Sequence, residues 1–102
     1  MGLRTELQTK LEEFLGSDQV YYQRPGIPGG LRYPCIVYER APGFLLRSDN
    51  GIHTSVNRYT VTFIHRDPDA DYPDRFVQWP YCSYDRRFVA DNLYHDVFDL
   101  YF

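Results

Sequence analysis

The sequence predicts an α+β fold: a mainly antiparallel sheet of about four to five strands, an N-terminal amphipathic helix and a second short helix on one face, and a long protruding hairpin. Three observations carry that expectation. Leu3, Leu7, Leu11, Phe14 and Leu15 recur at helical spacing, extended apolar runs punctuated by turn residues fill most of the remaining chain, and Tyr81 to Phe102 holds seven aromatics in twenty-two residues. A stretch that buries so many rings must dock on a sheet or a partner to offset its ordering entropy, so the C-terminal segment is structural.

The elements follow in order. The leucine stripe lies among Arg, Thr, Glu, Gln and Lys, which makes one amphipathic helix, and Gly16 stops it as a left-handed cap. Val20-Tyr21-Tyr22 is a short strand. Pro25 to Gly30 is a loop, because its prolines and glycines suit neither helix nor strand. Cys35 to Tyr38 is a strand opened by Pro34, where a missing donor is tolerated. Phe44-Leu45-Leu46 and Ile52 to Val56 flank the turn signal Ser48-Asp49-Asn50-Gly51, which predicts the protruding hairpin. Tyr59 to His65 alternates as the strongest strand, broken by Asp67-Pro68-Asp69. Pro73 opens a short helix with Phe76, Val77 and Trp79 on its apolar side, and Pro80 ends it. Ser83 to Val89 and His95 to Tyr101 are two further strands joined by a turn at Asp91-Asn92. With both helices on one face, the other face is expected to expose aromatic sheet to a partner.

At 102 residues, the chain is expected to form one domain, 1–102, with a single core. Its 18% aromatic content, ten Tyr among them, and its ten Arg against one Lys favour protein contacts, where rings and planar guanidinium groups do most of the binding. A net charge of -3 argues against a general nucleic-acid binder. No apolar run is long enough to span a membrane and MGLRTELQ lacks an apolar leader, so a soluble chain that is not exported is expected, with Cys35 and Cys82 as buried thiols.

Residue types that could do chemistry do not form a recognised set, and no catalytic residue, metal or cofactor is expected. Asp67, Asp69 and Asp71 open like a calcium loop, but Tyr72 and Gln78 stand where Gly and Glu are required, leaving a solvated turn that caps the next helix. Cys82, His95 and Asp85 or Asp96 are the types of a thiol nucleophile, base and orienter, without an oxyanion-forming loop beside them. His53, His65 and His95 are isolated and read as polar edge residues. Arg86 and Arg87 fall on opposite sheet faces, either as a solvated Arg with an edge salt bridge or as an ion pair with the acidic loop of a neighbouring copy. The candidate interface residues are Phe44, Leu45, Leu46, Ile52, Arg86, Arg87, Tyr101 and Phe102.

The blocks YPCIVYER (Tyr33 to Arg40), NRYTVTFIHRDPD (Asn57 to Asp69) and PYCSYDRRFVADNLYHDVF (Pro80 to Phe98) resemble a family of small tail proteins of long-tailed bacteriophages, the tail completion or tail terminator proteins. The resemblance implies an α+β protomer in a hexameric homo-oligomeric ring. Such a ring sits on the last tail-tube subunits, meets the head-completion or connector proteins, and lets genomic DNA pass without specific binding. It also implies residence in the virion neck after assembly in the host cytoplasm. Acidic residues facing the lumen would repel phosphate and keep the conduit slippery. Another neck component, a module dimerising through its exposed sheet, and a small thiol enzyme are the competing expectations.

Overall fold

Helix α1 spans Arg4–Leu15 because Leu7 and Leu11, one turn apart, both have an apolar surface to bury on; each is fully buried. It belongs to a computed structural model that describes residues 4–23, 33–49 and 52–102, with strand pairing alone for 44–49 and 52–55. Leu3 lies outside the described residues. Gly16 ends the helix at φ +80, its amide donating to the Glu12 carbonyl at 2.9 Å, a conformation that any Cβ would strain. Gln8 ties the helix to the sheet: its amide nitrogen donates to the Val20 carbonyl at 2.9 Å, and its oxygen accepts the buried Tyr38 hydroxyl at 2.6 Å.

Five strands form one sheet: β1 (Val20–Tyr22), β2 (Cys35–Asp49), β3 (Ile52–His65), β4 (Cys82–Ala90) and β5 (Leu93–Tyr101), in the spatial order β1-β2-β3-β5-β4. Only β1 runs parallel to its neighbour, pairing Val20 with Ile36 and Tyr22 with Tyr38. β2 is longer than the sequence suggests. It continues through Ala41-Pro42-Gly43 by a register shift between Arg40 and Phe44, with Gly43 at φ +117. The β4–β5 turn is the one anticipated, Asp91 and Asn92 both having positive φ (53° and 62°), as a tight two-residue hairpin requires. The Pro25 to Gly30 loop lies outside the described residues.

The register divides the side chains between two faces. Ile36, Tyr38, Tyr59, Val61, Phe63, Phe98 and Leu100 share the face covered by α1 and the short helix α2 (Tyr72–Phe76), whose Phe76 is fully buried. Phe14, Phe63, Phe76, Phe98 and Trp79 interlock there at centroid separations of 4.6–5.7 Å, mostly edge to face. Val77 is exposed, so α2 presents a narrower apolar side than expected. The second face carries Val37, Thr60, Thr62, Ile64, Val97 and Asp99, with no helix over it among the described residues. The expected uncovered aromatic face is thus corrected: the rings went mainly to the helix-covered side, where desolvation favours them most. Leu11→Ala should cost about 2–5 kcal/mol in a reversible denaturant melt, as a cavity beneath α1 that the strands cannot close.

Candidate functional site

The strongest polar constellation is built around Asp96 in the middle of β5. Phe63 of β3 flanks it on one side and Arg87 of β4 on the other, and its side chain is wholly buried beneath the helix-covered face. Regular alternation along β4 would send Tyr84 and Arg87 to opposite faces. A register shift between Tyr84 and Arg86 places an extra residue, Asp85, in the strand, so both side chains meet the same carboxylate. Oδ1 accepts the Tyr84 hydroxyl at 2.6 Å and Arg87 Nε at 2.7 Å; Oδ2 accepts Arg87 Nη2 at 3.2 Å and His65 Nε2 at 2.6 Å.

Four donors use the four lone-pair directions of one carboxylate. Burial by itself would raise the Asp96 pKa, but the hydrogen bonds from Arg87, Tyr84 and His65 overcome it and hold the group below its ordinary 3.8. Burial, then the bond to Asp96, pushes the Tyr84 phenol up. His65 is buried, stacked on Tyr94 at 5.8 Å and donating from Nε2, while Nδ1 has no hydrogen-bond partner among the described residues. The expectation that His65 is a polar edge residue is therefore corrected: it sits in a central strand because Asp96 needs a third donor. With every lone pair occupied, Asp96 offers a substrate no base. The constellation is a structural lock joining β3, β4 and β5.

The other sequence candidates scatter. Cys82 pairs with Leu100 and Phe88 with His95, which puts the thiol and the imidazole about 16 Å apart along the strands at ~3.3 Å per residue. Burial, assisted by the Asp99 carboxylate, pushes the Cys82 thiol up to about 12, so it stays protonated at neutral pH. Cys82 is half-buried, while Cys35 is fully buried as expected. His95 stacks on Phe88 at 4.5 Å, and the side chain of His53 lies outside the described residues. Asp67 accepts the Asp69 amide at 2.9 Å, and Asp71 pairs with Arg75 at 3.5 Å without making the side-chain cap expected of it. No group of three or more potential ligands is gathered for a metal among the described residues.

The candidate interface residues separate in the same way. Arg86 is exposed and pairs with its neighbour Asp85 at 2.5 Å. Arg87 is engaged within the chain by Asp96, and its Nη1 also reaches the Pro68 carbonyl at 3.4 Å, so of the two readings the salt bridge within the chain is the one present. Arg87→Glu would therefore disturb folding before any assembly. Tyr101 and Phe102 are half-buried; Phe102 exchanges backbone hydrogen bonds with Asn57 at 2.9 and 3.1 Å and packs against the core. The side chains of Phe44, Leu45, Leu46 and Ile52 lie outside the described residues. An open groove of about 760 Å³ runs between α1 and the chain end, lined by Glu13, Phe14, Trp79, Tyr101 and Phe102 among others.

The Asp96 lock escaped the sequence reading, although its signal was present: an Asp within the aromatic run of β5 is costly to bury unless donors converge on it. No protein-family model, no curated protein and no solved structure matches this chain.

Asp96→Asn should destabilise the protein at pH 7 by about 3–5 kcal/mol, nearer the lower end because 34% of the Arg87 side chain remains exposed. Because the folded pKa lies below the unfolded one, the wild-type advantage is complete above the ordinary 3.8 and disappears as pH falls through the lower, folded value. Urea melts of both proteins from pH 7 downward should converge in that acid range. At pH 7.5 Cys82 should alkylate at least about a hundredfold more slowly than free cysteine, read by mass spectrometry.

Proposed function

We propose that this chain is a structural virion subunit of a phage head–tail junction, a tail terminator that caps the tube as a ring, hexameric by the family resemblance. The observation that carries this reading is the pairing of β2 with β3 beyond the rest of the sheet. On its other side β3 is bonded only as far as Asn57, which exchanges backbone hydrogen bonds with Phe102, whereas β2 and β3 stay in register from Leu45 opposite Val56 to Asp49 opposite Ile52. Five further pairs at ~3.4 Å extend a two-stranded ribbon about 17 Å past the five-stranded body. The long axis of the chain, 48 Å against 28 and 24 Å across, is in keeping with a projecting arm.

An isolated two-stranded ribbon has no core of its own and gains its stability from whatever covers it. The arm carries Phe44, Leu45, Leu46 and Ile52, apolar residues suited to lie on a neighbouring subunit or on the tube. Head-to-tail closure of a ring needs two unlike surfaces on each protomer, and an arm and a body satisfy that requirement. Termination follows from geometry: one face complements the last tube subunits, the other does not accept a further one, and growth stops. The scattered nucleophile, base and acids support a role that rests on shape.

Replacing Leu45 to His53 by a short Gly-Ser turn should leave the melting transition of the body nearly unchanged, since the core residues found among the described side chains belong to the body, and should abolish ring assembly. Electron microscopy of the purified protein, and of tails from virus complemented with the variant, reads both effects. Rings and tails of normal length in that variant would overturn the arm as the assembly element.

A further inference from the structure

Every large hydrophobic side chain that is strongly exposed among the described residues lies in one short stretch: Val77, Tyr81, Tyr84, Phe88 and Val89, the last 62% exposed. Three of these are in β4, the nine-residue strand at one edge of the sheet; the opposite edge, β1, has only three residues. A long edge strand that exposes apolar side chains is a ready template for another strand. We infer that β4 is a self-pairing edge, and that two copies of this chain join antiparallel along it about a two-fold axis between Asp85 and Arg86.

The bulge selects the register. Tyr84 and Arg87 both turn toward Asp96, and Cys82 and Val89, opposite Leu100 and Tyr94, share their face. Arg86 and Phe88 lie on the second face, the guanidinium 5.8 Å from the ring centroid, with Ser83 and the bulged Asp85 beside them. Opposed residues in an antiparallel pair must point to the same side. With the axis between Asp85 and Arg86, Tyr84 opposes the partner's Arg87, Cys82 the partner's Val89 and Ser83 the partner's Phe88, and every pair agrees in face. Sliding by one residue crosses the faces and brings Arg86 against its own copy, or Asp85 against its own copy.

Charge reinforces that choice. Arg86 and Asp85 already pair within one chain, both well exposed. At the axis each would also meet its opposite in the partner, closing an alternating ring of four charges. The partner's Arg87 would lie beside the Tyr84 ring, an Arg–aromatic contact of the kind that dominates interfaces. A bulge and edge charges ordinarily deter strange strands; here they match only another copy of themselves, so the same features protect the edge and specify its partner. This contact is isologous and is not the repeated head-to-tail contact of a ring, so the pair neither requires nor excludes the proposed ring.

Sedimentation equilibrium on the full chain tests it. The wild type should dimerise, and Arg86→Glu or Asp85→Arg should each weaken self-association at least about tenfold, because each places like charges opposite one another twice. Mixed in equal amounts, the two variants should recover a 1:1 heterodimer, since the two adjacent acids of the Arg86→Glu chain then face the two adjacent arginines of the Asp85→Arg chain. Both sites are exposed, and a circular dichroism melt checks the fold. As a test that needs no variant, amides of β4 should exchange more slowly as wild-type concentration rises. A monomeric wild type, a dimer indifferent to both reversals, or a mixture no stronger than its components would overturn the inference. A six-membered wild-type ring unchanged by either reversal would overturn it too, and would leave the ring reading standing.

Discussion

A carboxylate placed in an apolar core must be compensated, and the architecture of three strands follows from how this chain compensates Asp96. Unpaired, the group would cost several kcal/mol or take up a proton. Here it stays charged because β3 supplies His65 and β4 supplies Tyr84 and Arg87. Two donors at odd spacing on one strand can converge only if the strand is bulged, so the Asp85 irregularity is a condition of the lock. Arg87 also reaches the Pro68 carbonyl, which ties the acidic loop to the same point.

The aromatic excess has a similar economy. Phe14, Phe63, Phe76, Phe98 and Trp79 fill the gap between the sheet and two helices, edge to face, where a short α2 could not cover the strands with aliphatic side chains alone. The core therefore takes up rings that composition alone would have assigned to contacts. Among the described residues, those left exposed are concentrated beside or on β4, which focuses the remaining apolar surface on one edge of the sheet.

Several elements were legible in the linear sequence because their signals are local. The leucine spacing marked α1 and its buried Leu7 and Leu11, Gly16 marked the helix stop, Tyr59 to His65 marked the central strand, and Asp91-Asn92 marked a turn needing two left-handed residues. The core pairing of Leu7, Leu11 and Phe14 with Ile36, Tyr38, Val61 and Phe63 could also be anticipated, since one amphipathic helix must cover the most apolar strands. His65 was misjudged, and the partner of Arg87 left open, for a common reason. Their roles depend on Asp96, which lies 31 and 9 residues away along the chain and shows no periodicity that points to either.

What the sequence determined by itself was the α+β class, the identity and approximate limits of the elements, and the face of α1 that is buried, because propensity, capping and hydrophobic period act over a few residues. Only the tertiary structure decided the strand order, the parallel seating of β1, the bulge that aims Tyr84 and Arg87 at one carboxylate, and the separation of Cys82 from His95. Those depend on register between distant strands, where a shift of one residue turns every side chain to the other face, and the cost of burying a single charge selects which register survives.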